Sequence, residues 1–268
     1  MTAPVTWQSA AIRSLGHDIT VPVRIYRPKN ADAHAGRLVW AHGGSWRSGS
    51  VADWHPALAD LARRTRATVV GVDYRLAPCH PHPAALRDLL AVLAWADEQA
   101  PGEPVAVGGD SAGGTLAASA ALVRRDQGRP LAAQLLAYPP LDPACRAASY
   151  HRDPRAFPSR VVLREAWRDY RGPGAVEAVR AGEYSTPTEA HDLAGAAPAA
   201  LVVGALDPVV DDVRAYAHAL SRDEVPVRYE ELPGIGHGVF LASTHFRSRL
   251  ATAYRDVLAV HTTQGVPR

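Results

Sequence analysis

Gly109-Asp110-Ser111-Ala112-Gly113-Gly114 sits between an apolar run, Val105-Ala106-Val107, and an alanine-rich run that reads as a helix. A serine between glycines at a strand-to-helix turn is the layout of a nucleophile elbow, in which a sharp turn lifts the serine oxygen above the sheet edge. Such a turn forces backbone conformations that small residues tolerate best, which accounts for Gly109, Gly113 and Gly114. The N–H of Ala112 is then expected to point at whatever carbonyl Ser111 attacks. A single G-x-S-x-G occurs often by chance, so its weight rests on partners elsewhere in the chain.

Outward from this turn, strand and helix patterns alternate, which predicts an α/β protein with a mainly parallel sheet. Upstream, Val5 to Ile12 and Val21 to Tyr26 read as two strands joined around Gly16-His17-Asp18, forming an antiparallel edge. Leu38 to Ala41 is a short buried strand. Ala52 to Arg66 reads as a helix with Asp53 as N-cap. Thr68 to Val72 is strongly β, and Pro83 to Gln99 is a helix with a stripe of leucines. Downstream, Leu131 to Tyr138, Leu201 to Val203 and Val225 to Leu232 read as strands. Helices are expected from Asp212 to Arg222 and from Ser243 to Ala259, with a tail after Thr262 that frays.

One stretch breaks the alternation. Residues 139–198 are rich in proline and arginine and show one helical pattern, Val161 to Tyr170. A segment this long without strands is more often functional than a plain connector. It is expected to pack over the catalytic edge as a lid or pocket wall, the alternative being a surface excursion remote from the site. The chain as a whole, residues 1–268, is read as one domain with 139–198 as a cap-like insertion.

Composition narrows the classes. Net charge is +2, and basic residues are interleaved with acids, as in Arg222-Asp223-Glu224, which argues against a nucleic-acid surface. Lys29 is the only lysine among many arginines. No apolar run approaches a membrane span, and Met1 to Trp7 does not read as a signal peptide. Cys79 and Cys145 do not form a disulfide framework, so the expected location is cytoplasmic, with reduced thiols. Neither a cofactor nor a metal is called for. Cys79-His80-Pro81-His82 invites a metal reading, but no further ligands match it.

A serine hydroxyl needs a base within hydrogen-bond reach, and the base needs an acid to fix its tautomer. After Ser111, Asp207 follows the apolar strand Leu201 to Val203, just past its C-terminal end, where sites of open α/β sheets gather. Asp211 and Asp212 are the competing acids. His237 lies in Pro233-Gly234-Ile235-Gly236-His237-Gly238-Val239-Phe240, a glycine-rich loop after the strand ending at Leu232. Ser111, Asp207 and His237 thus fall on one predicted edge. Before them comes His42-Gly43-Gly44-Ser45-Trp46, after the strand Leu38 to Ala41. Gly43, Gly44 and Ala112 are the candidate oxyanion donors, each worth roughly 3 kcal/mol of barrier. His42 reads as a residue that braces the loop. Trp46 and Tyr138 are candidates for lining the substrate pocket, with core packing as their alternative.

These motifs together resemble the hormone-sensitive-lipase-like group of α/β hydrolases, the bacterial family IV esterases. Asp73-Tyr74-Arg75-Leu76-Ala77-Pro78 matches that group's D-Y-R-L-A-P, and Pro81 to Leu86 matches the stretch just after that motif. Ser185-Thr186-Pro187 up to Asp192-Leu193 resembles its S-P-L…D-L stretch. Asp207 to Asp211 resembles D-P-L-x-D, and His237 to Phe240 its H-G-F loop with Val239 added. The match runs from about Arg24 to Leu258. Ser45 stands where a third glycine is common, and Cys79 where the group has glutamate. The first predicted strands begin almost at Met1, where the group usually carries cap helices, so the resemblance implies a reduced cap and a more open pocket.

What the resemblance implies is an α/β-hydrolase fold and hydrolysis of small to medium acyl esters through a Ser-His-Asp triad and an acyl-enzyme. The implied partner is a small-molecule ester, with the chain acting as monomer or homodimer. An arylformamidase of the kynurenine-formamidase type is an alternative, as is acyl transfer or lactone opening on the same site. A non-catalytic ligand-binding protein is a further one, against which the presence of His237 counts.

Overall fold

The computed structural model describes residues 4–13 and 20–264, with side chains through Ala259. The turn expected at Gly16-His17-Asp18 lies outside the described residues, as do residues 265–268 of the tail. Eight strands form one sheet: β1 (Val5–Arg13), β2 (Thr20–Pro28), β3 (Arg37–Ala41), β4 (Thr68–Val72), β5 (Val105–Asp110), β6 (Ala133–Ala137), β7 (Ala199–Gly204) and β8 (Val227–Leu232). Their order is β1-β2-β4-β3-β5-β6-β7-β8. β1 pairs antiparallel with β2, and β2 with β4, while the others run parallel. The antiparallel edge and the parallel body are as the sequence pattern predicts.

Among the described residues there are seven α-helices, α1 (Val51–Thr65), α2 (Ala84–Gln99), α3 (Ala112–Asp126), α4 (Arg160–Arg171), α5 (Ala175–Arg180), α6 (Val210–Arg222) and α7 (Thr244–Gln264), of which α1, α2, α3, α6 and α7 pack on the sheet. The crossover through α1 steps from β3 outward to β4, and the crossover through α2 steps back past β3 to β5. Right-handed crossovers in opposite directions leave their helices on opposite faces. α3 and α6 step the same way as α2 and share its face, whereas α7 packs with α1.

This reversal creates the crevice that positions the site. β3 and β5 are direct neighbours, with Ala41 opposite Gly109. The loop after β3 and the turn after β5 therefore emerge side by side at the C-terminal sheet edge, the switch point where open α/β sheets bind ligands. β3, β5, β6 and β7 are buried on both faces, which explains their continuous apolar runs. The α3 helix is buried along almost its whole length, and its alanines let it lie close to the strands.

Two local expectations change. The N-cap of α1 is Ser50, not Asp53: the Ser50 hydroxyl accepts from the Asp53 N–H and donates to the Asp53 carboxylate at 2.7 Å. Asp53 is the third helical residue, completing a reciprocal cap. Segment 139–198 holds α5 in addition to the expected helix. α5 spans six residues behind Gly172-Pro173-Gly174, too short to show a helical period.

Candidate active site

Ser111 sits between β5 and α3 with φ of 51° and ψ of −121°. A side chain at such a positive φ is strained and persists only where its surroundings fix it. Here the Ser111 N–H donates to the Ala137 carbonyl on β6 at 2.8 Å. A Cβ on Gly113 would fall 2.0 Å from the Ala41 carbonyl oxygen, and one on Gly109 2.3 Å from the Gly113 backbone. The glycines flanking the serine are thus required by how closely α3 approaches β3 and β5.

The predicted partners converge on it. Ser111 Oγ lies 2.8 Å from His237 Nε2, and His237 Nδ1 lies 2.8 Å from Asp207 Oδ2 and 3.0 Å from Oδ1. Asp207 can only accept, so the geometry assigns the imidazole proton to Nδ1 and leaves Nε2 to accept from the serine hydroxyl. Asp207 Oδ1 also accepts from the Val209 N–H at 2.9 Å. The side chains of His237 and Asp207 are 3% and 0% exposed, which shields their pairing from water. The rival acids are occupied elsewhere. Asp212 accepts from the N–H groups of Leu141 and Asp142 and from the Tyr150 hydroxyl, and Asp211 from the Ser149 N–H. Both tie segment 139–198 to α6.

The loop after β3 departs from expectation at Gly43. Its N–H donates to Asp110 Oδ1 at 3.2 Å, so it is not offered to a substrate oxygen. Gly44 (φ 109°) and Ser45 (φ 55°) follow in left-handed conformations and line the cavity in front of Ser111. Ala112 opens α3, where position alone leaves an N–H without an intrahelical acceptor. Sequence reading gave Ser45 no role, because it stands where a third glycine is common; the structure places it on the cavity wall beside Gly44.

His42 braces the loop, as expected. Its Nδ1 lies 2.7 Å from the Gly43 carbonyl, its ring stacks on Tyr74 at 4.4 Å, and the Tyr74 hydroxyl donates to the His42 carbonyl. Burial holds its imidazole below the ordinary range.

Trp46 and Tyr138 do not line the cavity, which corrects their expected role. Trp46 is fully buried, stacked on Tyr170 at 4.6 Å and against Trp167 at 4.4 Å. It anchors the loop to α4. Tyr138 is also fully buried: its hydroxyl oxygen accepts from the Phe240 N–H at 2.8 Å, and its ring lies 4.8 Å from that of His237. Both aromatics support the site from behind.

The cavity at Ser111 measures about 240 Å³ and is walled by Gly44, Trp54, His237, Leu241 and, from segment 139–198, Phe157 and Pro158. A larger hollow of about 610 Å³ along α4 and α5 includes neither Ser111 nor His237. Among the described residues no group of side chains is arranged to hold a metal ion, and no helix is long and apolar enough to cross a membrane.

Comparison with known proteins agrees with this architecture. A family model described as the α/β-hydrolase fold matches residues 38–241. The carboxylesterase NlhH of Mycobacterium tuberculosis is 35% identical over 236 residues, spanning 84% of this chain and 74% of its own. An ethyl acetate hydrolase of Pseudomonas putida is 36% identical over 233 residues, 83% of this chain and 71% of its own. Among solved structures, a bacterial heroin esterase superposes with a TM-score of 0.84 at 31% identity, covering 95% of this chain and 85% of that one. Family match, strand order and shared motifs together make this chain a member of the α/β-hydrolase family, in its hormone-sensitive-lipase-like group.

Proposed function

We propose that the chain is a carboxylic ester hydrolase that works through an acyl-enzyme on Ser111. The observation that carries this reading is the unbroken relay from Ser111 Oγ to His237 Nε2 and from His237 Nδ1 to Asp207, each step 2.8 Å. His237 takes the serine proton as Oγ attacks the ester carbonyl, and Asp207 stabilises the imidazolium that forms. His237 then returns the proton to the leaving alcohol. Water enters, His237 activates it in turn, and its attack on the acyl carbonyl frees Ser111.

The oxyanion is received by the backbone N–H groups of Gly44, Ser45 and Ala112, with Gly43 withdrawn to a structural role. Relatives named for carboxylic esters and for ethyl acetate support an ester as substrate. A cavity of about 240 Å³ suits a short acyl group and a compact alcohol. Segment 139–198 serves as a pocket wall through Phe157 and Pro158. The free thiols of Cys79 and Cys145 fit a reducing, cytoplasmic setting.

The test is a substrate panel with a fluorophosphonate label. Hydrolysis of p-nitrophenyl acetate and butyrate should exceed that of the decanoate, and labelling should disappear in Ser111→Ala. N-formylkynurenine belongs in the same panel: strong turnover of that formamide with little on esters would replace the ester reading. Absence of Ser111-dependent labelling would point to a binding protein.

A further inference from the structure

Asp110 is the residue immediately before the nucleophile, and its side chain has no role in the relay. It is 3% exposed, with no arginine or lysine bonded to its carboxylate among the described residues. Instead Oδ1 collects three neutral donors: Trp54 Nε1 at 2.9 Å, Trp40 Nε1 at 3.1 Å and the Gly43 N–H at 3.2 Å. Burying an acid without a cation is unfavourable, and here burial drives its pKa up to about 7 against those three bonds. A position serving only to fill space would be met more cheaply by an apolar residue.

The three donors come from separate parts of the site. Trp40 is on β3, Trp54 on α1 and Gly43 on the oxyanion loop, while Asp110 ends β5 and adjoins Ser111. One oxygen therefore ties the loop to the elbow. Its contact with Gly43 is close, since a Cβ there would lie 2.7 Å from Asp110 Oδ2. Fixing the Gly43 N–H fixes one end of the peptide run that continues through Gly44 and Ser45. Donor placement in an oxyanion site must hold to within a few tenths of an ångström for the transition state to be stabilised.

We propose that Asp110 is a positioning residue for the oxyanion loop: by holding the Gly43 N–H it sets where the Gly44 and Ser45 N–H groups stand relative to Ser111. The role requires an acceptor oxygen, not a negative charge. The inference rests on the ester-hydrolase reading given above.

The experiment compares wild type with Asp110→Ala, Asp110→Leu and Asp110→Asn. Three quantities are measured: kcat and KM on p-nitrophenyl acetate, and affinity for an aryl trifluoromethyl ketone, which adds to a catalytic serine and places an oxyanion in the loop. Asp110→Leu fills the space without an acceptor and stands in if the alanine variant does not fold. In both apolar variants kcat and ketone affinity should fall in parallel by about 100-fold, with KM within about twofold. Asparagine keeps an acceptor oxygen and should recover most of both. Apolar variants that keep ketone affinity and kcat within about threefold of wild type overturn the inference. So does an asparagine variant as impaired as alanine, which would make charge the operative property. If wild type itself neither hydrolyses esters nor binds the ketone, the ester-hydrolase reading fails first, and the two failures are told apart.

Discussion

Arg247 of α7 and Asp60 of α1 form an ion pair at 2.7 Å, both side chains less than a tenth exposed, and the same guanidinium donates to the carbonyls of Phe240 and Leu241. Those carbonyls end the loop that carries His237. The pair thus connects the packing of two helices to the position of His237. Asp60 also pairs with Arg63 and Arg64, so losing Arg247 leaves its charge compensated but strips the Phe240 and Leu241 carbonyls of their donor. Arg247→Met is expected to lower stability by about 1–3 kcal/mol, the cost of acceptors left without a donor, and to reduce kcat, because the histidine loop loses its tether. Urea unfolding and steady-state kinetics on the same preparation check both, and a stable variant with full kcat would disconnect the pair from the loop.

Substitution within the relay should be severe and non-additive. Ser111→Ala and His237→Ala are each expected to lower kcat by about 10⁴–10⁶. The double variant should be scarcely worse than either single one, since each breaks the same unit. Circular dichroism should show the fold intact. A multiplicative loss in the double variant would mean that the two residues act independently.

Ser111→Gly separates activity from stability in the opposite direction. The serine is held at φ 51°, a conformation that costs a side chain on the order of 1 kcal/mol and costs glycine little. The variant should be inactive yet melt at a higher temperature than wild type. An unchanged or lower melting temperature would show that the strain at the elbow is offset by contacts of the hydroxymethyl group.

Stability should fall between about pH 4 and 7. Burial drives Asp110 up to about 7 and Asp212 to about 6, the latter against bonds from Tyr150, Leu141 and Asp142. An unfolded aspartate ionises near 3.9, so across this interval the folded chain keeps protons that the unfolded chain has released. Stability therefore drops as pH rises and levels off above the folded values. Asp60 acts in the other direction: burial raises it, but bonds from Arg64 and Arg247 outweigh that and hold it below its usual range. Its contribution is present above the unfolded value and disappears as pH falls through the folded one. Denaturant titrations of wild type and Asp110→Asn at several pH values isolate the first effect. The asparagine variant should lose part of the slope, and parallel curves would refute it.

Trp46 and Tyr138 should respond as buried supports. Trp46→Ala is expected to cost about 3–5 kcal/mol through the cavity it leaves among Trp167 and Tyr170, whereas Trp46→Phe should leave KM for p-nitrophenyl acetate near wild type. Tyr138→Phe strands the Phe240 N–H, at about 1–3 kcal/mol. A large KM change in Trp46→Phe would return that side chain to the substrate pocket.

The strands and the relay are legible in the sequence because their signals are local. A buried parallel strand is an apolar run, and Ser111, Asp207 and His237 each sit in a short motif just after one. Asp110 and Gly43 are harder, since the bond that takes the Gly43 N–H joins residues 67 positions apart, and no motif marks it. Arg247 and Asp60 are 187 positions apart and read singly as surface charges on helices. Trp46 reads as a pocket residue because it follows Gly43 and Gly44 so closely, yet its left-handed backbone turns it toward α4. In each case the missing information is a tertiary partner, which pattern along the chain does not carry.

Phe157, two-thirds exposed, meets the imidazole of His237 edge-on with ring centres 6.0 Å apart, yet it belongs to a loop outside the sheet and donates nothing to the relay. On the proposed reading, the relay and this part of the cavity wall are built on separate stretches of chain. A change at position 157 can reshape the doorway while the hydrogen bonds among Ser111, His237 and Asp207 stay where they are. If the proposed ester chemistry holds, such a layout lets one machine be fitted to many esters, its repertoire adjustable at the threshold and its chemistry left alone.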